Sequence, residues 1–291
     1  MLSLHTNAAS LSAQNSISNT QSKLSTSMTR LSTGFRINSA MDDAAGLQIA
    51  TRLKAQTSGM TVAMNNTQNS TSLLQTAEGA FAEVTNMLVR MKDLATQASD
   101  ASSTANDKTA MQAEYNALGQ ELYNVMTNTT FGGTKLLGDG SAAAKGTLSA
   151  SMTFQIGASS SETMGFDVSS NLSTLNTALS GLSANFSSGA STGATELTAS
   201  ANATIGLLAT AIDSVSTVRS ALGATANRLD HVNTNLSNIA TNTKAATGRI
   251  MDTDFATESS NMTSSQMLLQ AGTAMLKQSN SMSSMVMSLL Q

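Results

Sequence analysis

A long repeat of apolar residues constrains the fold of this chain more than any other feature of its sequence. Between residues 53 and 98 the apolar positions are separated alternately by three and four residues, the spacing of a helix packed lengthwise against other helices. The repeat holds Leu53, Met60, Thr67, Leu74, Phe81, Leu88 and Ala95, with Ala77, Val84, Met91 and Ala98 between them. The chain contains no proline, the residue that would break such a helix. The sequence therefore predicts a long, uninterrupted helix across this segment.

Two further segments carry apolar stripes at helical spacing. One stripe is formed by Met111, Tyr115, Leu118, Leu122 and Val125; the other is formed by Leu208, Val215, Leu222, Leu229 and Leu236, with Val218, Val232 and Ile239 interleaved. Three long helices of this kind can bury their stripes along one shared seam. The sequence therefore predicts a mainly α fold, a long antiparallel helical bundle or coiled coil built from both ends of the chain.

The two chain ends carry apolar positions within polar surroundings. These positions are Leu4, Leu11, Ile17, Leu24 and Leu31 near the N-terminus, and Leu268, Met275, Met282 and Leu289 near the C-terminus. The residues between them are mostly Ser, Asn, Thr and Gln, which are mediocre helix formers. Because an isolated helix of this composition scarcely persists in water, we expect both ends to need a helical partner.

The middle of the chain has a different pattern. Two glycines after Phe131 end the helical run, and residues 152–156 and 164–168 then alternate apolar and polar side chains around a connection containing Gly and Ser. This alternation predicts a β-hairpin. One short helix is predicted near residues 172–182, and residues 183–203 are too few and too polar for a sizeable extra core.

Composition excludes several classes of protein. The net charge of −3 and the absence of a Lys/Arg cluster argue against a nucleic-acid binder. The chain has no cysteine, which excludes disulfides and thiolate metal sites. We expect no cleavable signal peptide, because the N-terminus lacks a basic segment followed by an apolar stretch. We also expect no membrane-spanning segment and no membrane insertion.

The sequence offers no convincing catalytic, metal or cofactor site. The candidate groups are the pairs Asp42–Asp43 and Asp252–Asp254 and the two histidines, His5 and His231. Adjacent helical residues point about 100° apart, so Asp42 and Asp43 do not converge on one substrate atom. Helix capping is the better interpretation of both acidic pairs. We therefore expect no enzyme and no cofactor.

Two stretches of sequence resemble bacterial flagellin. Residues 30–50, Arg-Leu-Ser-Thr-Gly-Phe-Arg-Ile-Asn-Ser-Ala-Met-Asp-Asp-Ala-Ala-Gly-Leu-Gln-Ile-Ala, resemble the N-terminal signature of that family. Ser-Asn-Met-Thr at 260–263, Gln-Ala-Gly-Thr at 270–273 and the terminal Ser-Leu-Leu-Gln resemble its C-terminal pattern. The resemblance covers residues 1 to about 131 and about 222 to 291.

The resemblance implies a structural subunit that polymerises into the flagellar filament, outside the cell, for motility. It implies that residues 1–45 and 254–291 are paired terminal helices of an inner tube that fold on assembly. Residues 46–168 and 204–253 would form the helical bundle and β-hairpin of an outer tube, and residues 169–203 a short surface segment in place of larger outer domains. A hook–filament junction protein of the same superfamily is the alternative, although residues 34–47 and the C-terminus match flagellin more closely.

The resemblance also implies partners: further copies of the chain, the flagellar cap, hook–filament junction proteins, an export chaperone and the type III export apparatus. The hairpin at about 147–168 resembles the element that switches filaments between two packing states. Residues 89–97 resemble the stretch recognised by the flagellin-sensing Toll-like receptor of the host, and Arg90, Leu94 and Glu114 match key positions. In the repeat, Arg90 and Leu94 lie beside the buried positions. We therefore expect Leu94 to need a contact outside its own core.

Overall fold

The computed structural model describes residues 7–140, 145–187 and 194–289, and within them the fold is mainly α. The helices are α1 (Ala8–Thr33), α2 (Ala44–Ser99), α3 (Ala105–Asn128), α4 (Ser169–Leu182), α5 (Glu196–Met251) and α6 (Phe255–Leu289). Two antiparallel strand pairs lie between α3 and α4: β1 (Thr130–Phe131) with β2 (Thr134–Lys135), and β3 (Met152–Gln155) with β4 (Thr163–Phe166). A 3-10 turn spans Thr147–Ser149. The prediction of a mainly helical chain is confirmed.

The chain forms two compact units. The terminal unit comprises Met1–Thr57 and Thr241–Gln291, and the central unit comprises Ser58–Ala240. Helices α2 and α5 each contribute residues to both units.

In the terminal unit, α1 and α6 form an antiparallel pair, and short backbone contacts secure the segments beside them. Helix α1 ends where Gly34 adopts a left-handed conformation (φ 76°), which glycine does without steric cost. The Gly34 carbonyl accepts a hydrogen bond from the Thr253 N–H (3.0 Å), and the Arg36 N–H donates to the Met251 carbonyl (2.6 Å). Gly34 thus ends α1 and ties that end to the residues between α5 and α6.

One member of each acidic pair, Asp43 and Asp254, caps a helix, whereas Asp42 binds the loop before α2. Asp42 accepts the N–H groups of Ser39 (2.8 Å) and Asn38 (3.1 Å), and Asp43 accepts the Gly46 N–H (2.8 Å) in the first turn of α2. At the start of α6, Asp254 accepts the Thr257 hydroxyl (2.7 Å) and the Ala256 N–H (3.0 Å). These bonds satisfy N–H groups that have no partner inside the helix.

The core of the central unit is lined by the predicted apolar stripes. Buried side chains on α2 include Leu74, Ala77, Phe81, Val84, Leu88, Met91, Ala95 and Ala98, and those on α5 include Leu208, Val215, Val218, Leu222 and Leu229. On α3 the predicted Met111, Tyr115 and Leu122 are buried, and Met126 is buried beside them. The predicted Leu118 and Val125 are half-buried against the same core. Ile239, predicted in the α5 stripe, is exposed.

Helix α5 is long and apolar enough to cross a membrane by length and composition alone, which the sequence analysis did not anticipate. Its apolar stripe has another partner, because Leu208, Val215 and Leu222 are buried in the core of the central unit.

The predicted β-hairpin is present and rests on α2. Phe154 of β3 pairs with Met164 of β4, and the rings of Phe154 and Phe166 stack with centroids 6.2 Å apart. The hairpin turn approaches α2 at Gly59, where an added Cβ would lie 2.7 Å from the Cβ of Ala158. Glycine at this position therefore permits the close contact.

Candidate assembly surface of the terminal helices

The α1–α6 pair buries one face of each helix along what we call the pairing seam. The less exposed positions recur at spacings of three and four residues in both helices. They are Ala13, Ile17, Thr20, Leu24, Ser27 and Leu31 on α1, and Glu258, Met262, Ser265, Leu269, Gly272, Leu276 and Ser279 on α6.

Small residues bring the two helices close together. A Cβ placed on Gly272 would lie 2.9 Å from Cγ1 of Ile17, so the observed spacing requires glycine. Polar contacts hold one end of the pair, where Asn7 Nδ2 donates to Ser279 Oγ (3.2 Å) and the Ser10 hydroxyl donates to Asn280 Oδ1 (3.1 Å).

Near the opposite end of the pair, Arg30 and Glu258 form an ion pair (3.7 Å) in which the Glu258 side chain is 9% exposed. A carboxylate removed from water to this degree needs such a partner. The seam therefore combines a few Leu and Ile contacts with polar contacts, and its apolar content is modest.

A second apolar face on α6 is largely exposed. We call this face the outer stripe; it consists of Met267, Leu268, Met275, Met282 and Met285, which are between 56% and 68% exposed. The predicted repeat of Leu268, Met275 and Met282 therefore lies outside the pairing seam. Leu11 and Met28 on α1 are likewise exposed.

The predicted assembly residues separate into two groups. Ile17, Leu24 and Leu31 are half-buried in the pairing seam, whereas Leu11 and the three α6 residues are exposed. Leu4 lies outside the described residues, as does the side chain of Leu289, the last residue of α6. The sequence analysis missed Met262, Leu269 and Leu276, although their seven-residue spacing was a usable signal.

Arg90 and Glu114 join α2 to α3 at the surface of the central unit. Arg90 Nε donates to Glu114 Oε1 (2.8 Å), and a second guanidinium nitrogen lies 2.7 Å from the same oxygen. Both side chains are about half exposed. An exposed pair of this kind contributes at most about 1 kcal/mol to stability.

The expectation that Leu94 lies outside its own core is wrong. Leu94 is 2% exposed and belongs to the core of the central unit. The buried face of α2 widens here, since both Leu94 and the adjacent Ala95 are buried. Leu94 therefore needs no partner from outside the chain.

No group of three or more His, Cys, Asp or Glu side chains that could hold a metal ion occurs within residues 7–140, 145–187 and 194–289. Tyr115 is one buried ionisable side chain, and burial raises its pKa, with a further contribution from the negative charge of Glu196. Its hydroxyl donates to the Leu182 carbonyl (3.0 Å), so it acts as a structural hydrogen-bond donor.

Two family profiles match the chain. The bacterial flagellin N-terminal helical region matches residues 4–142, and the bacterial flagellin C-terminal helical region matches residues 205–290. A solved structure of a putative flagellar hook-associated protein from Vibrio parahaemolyticus covers 72% of this chain and 100% of its own, with a TM-score of 0.55. It is 16% identical, which shows similarity of fold alone.

Curated relatives show the same resemblance in sequence. Polar flagellin F of Vibrio parahaemolyticus is 45% identical over 169 residues, which are 58% of this chain and 43% of that protein. B-type flagellin of Pseudomonas aeruginosa is 48% identical over 163 residues, which are 56% of this chain and 32% of that protein. The chain thus matches less than half the length of these relatives.

Because the two profiles together cover most of the chain and occupy its two ends in order, the chain belongs to the bacterial flagellin family.

Proposed function

We propose that the chain is a structural subunit that polymerises into the flagellar filament for motility. The outer stripe is the observation that carries this proposal, because five large apolar side chains of α6 are more than half exposed there. Exposed apolar faces of this kind mark interaction surfaces. A second copy of the chain supplies the partner, and a head-to-tail contact that does not close gives an open helical filament.

This role assigns each part of the chain to a layer of the filament. Residues 1–45 and 254–291 pair as the inner tube, residues 46–168 and 204–253 form the outer tube, and residues 169–203 lie at its surface. The modest apolar content of the pairing seam supports folding of the terminal helices on assembly. A single seam of this kind scarcely offsets the entropy of ordering two long helices.

The remaining partners follow from family membership. The subunit leaves the cell through the type III export apparatus, accompanied by an export chaperone, and joins the filament beneath the cap, beyond the hook–filament junction proteins. Its role is structural and needs no catalysis. The host Toll-like receptor for flagellin contacts the exposed Arg90–Glu114 pair. The buried Leu94 contributes indirectly, because it holds α2 in position.

Seeded polymerisation with paired variants tests the proposed function. Leu268→Ser with Met275→Ser removes two outer-stripe side chains, and Gln266→Ser with Thr273→Ser changes two exposed polar positions of the same helix. The first variant is expected to stay soluble and helical by circular dichroism but to form no filaments, whereas the second polymerises normally. Equal polymerisation of both variants contradicts the proposal. If wild-type protein adds only a short layer to the seeds and the seeds do not elongate, the result indicates the alternative, a hook–filament junction protein.

A further inference from the structure

The methionines of this chain fall into distinct environments. Met91 and Met126 are buried in the core of the central unit. Six methionines among the described residues are strongly exposed, and four of these, Met267, Met275, Met282 and Met285, lie on the outer stripe. The chain has no cysteine, so thioethers are its only sulfur groups.

We propose that these four methionines are an oxidation site through which peroxides block assembly of the free subunit. The inference rests on the proposed function, since it requires the outer stripe to be buried between subunits. Exposed methionine is readily converted to its sulfoxide, and the reaction is reversed by methionine sulfoxide reductases.

The reaction balances with hydrogen peroxide as the oxidant. The thioether sulfur attacks one peroxide oxygen, an S–O bond forms and the O–O bond breaks. The departing hydroxide takes up the remaining proton and leaves as water. Sulfur loses two electrons, and the peroxide gains them.

Oxidation changes the outer stripe more than the pairing seam, where Met262 is the one methionine among the named residues and is half-buried. The seam contacts at Leu269, Gly272 and Leu276 contain no sulfur, so α1 and α6 can still pair after oxidation of the outer stripe. On the outer stripe, the sulfoxide replaces an apolar thioether by a strong hydrogen-bond acceptor. Burying that acceptor against another subunit without a donor is unfavourable. Assembled subunits are protected, because their outer stripe is covered.

Peroxide treatment of the full-length subunit tests this inference. After removal of peroxide with catalase, sulfoxide is mapped at each methionine by peptide mass spectrometry, and the critical concentration for seeded polymerisation is measured. We expect sulfoxide at the four outer-stripe methionines and at the exposed Met28 and Met41, none at Met91 or Met126, and a rise in critical concentration of at least about tenfold, or about 1.4 kcal/mol. Repair with methionine sulfoxide reductases A and B and dithiothreitol restores the original value.

Matched variants assign the effect to the outer stripe. The variant with Leu at positions 267, 275, 282 and 285 keeps the apolar volume and is expected to polymerise equally before and after peroxide. Met41→Leu changes a 97% exposed methionine outside α6 and is expected to stay sensitive.

Sulfoxide on the outer stripe without a change in critical concentration overturns the inference, as does full sensitivity of the fourfold variant. Untreated wild-type protein that does not polymerise contradicts the proposed function itself. If the fourfold variant fails to polymerise, enzymatic repair of oxidised wild-type protein tests the inference instead. Recovery of the original critical concentration supports the inference, and no recovery overturns it.

Discussion

Gly272 sets the distance between the two terminal helices at a single point. Because a Cβ there would lie 2.9 Å from Ile17 Cγ1, Gly272→Ala forces the helices apart or displaces Ile17. Overpacking of this kind costs about 1–3 kcal/mol. We expect the variant to raise the critical concentration for polymerisation about 5- to 150-fold, measured by sedimentation. Thr273→Ala, an exposed neighbour on α6, serves as control and should leave the value nearly unchanged.

Leu94 and Arg90 lie one helical turn apart and have different roles. Leu94→Ala leaves a cavity in the core of the central unit and should lower the free energy of unfolding by about 2–5 kcal/mol. Arg90→Ala removes an exposed ion pair and should lower it by less than about 1 kcal/mol. Urea denaturation of the full chain measures both. Near-equal losses would contradict the assignment of Leu94 to the core.

At the scale of elements, the cap of α3 makes stability depend on pH. Asp107 accepts the Thr104 hydroxyl (2.6 Å) and the Thr104 N–H (3.0 Å), and these bonds hold the pKa of its carboxyl below the usual value. The unfolded chain therefore binds the proton more readily, so this contribution is present above about pH 4 and is lost as the pH falls. We expect the urea midpoint of the wild type to decrease below pH 4. Asp107→Asn keeps an amide acceptor without the titration, and its midpoint should decrease less over the same range.

The hairpin turn depends on a glycine of α2 for its position. Gly59→Ala would bring a Cβ to 2.7 Å from that of Ala158 and displace the turn. If the hairpin sets the packing state of the filament, as its resemblance to the switching element suggests, this variant should grow filaments of altered supercoil in dark-field microscopy. Gly79→Ala lies on the same helix with no neighbouring atom within 4 Å, so it should leave the supercoil unchanged.

These elements also show which features the sequence could predict. The repeat on α2 identified Phe81, Leu88 and their neighbours as core, because a single strong period leaves one choice of buried face. Helix α6 carries two apolar stripes, each with a seven-residue repeat. The sequence alone does not indicate which of the two packs against α1. The burial of Leu94 depends on packing between elements that are distant in the chain. The spacing of apolar residues along α2 carries no information about that packing.

At the scale of the whole molecule, the two units should differ in stability before assembly. The central unit has a large apolar core, whereas the pairing seam of the terminal unit mixes Leu and Ile with Ser, Thr and Gly. Folding must offset an ordering cost of about 1–2 kcal/mol per residue, which favours the unit with the larger buried apolar area. The boundary between stable and marginal structure is therefore expected within α2 and α5, the helices that contribute to both units.

Hydrogen exchange followed by mass spectrometry measures this difference directly. We expect backbone amides of α1 and α6 to exchange rapidly in the free subunit and slowly in the filament, where another subunit covers the outer stripe. Amides around Phe81 and Leu88 should be protected in both states, because the central core is complete within one chain. A chain lacking residues 256–291 should keep that central protection and form no filaments. Strong protection of α6 in the free subunit would mean that the pairing seam alone stabilises the terminal helices, and folding on assembly would then be excluded.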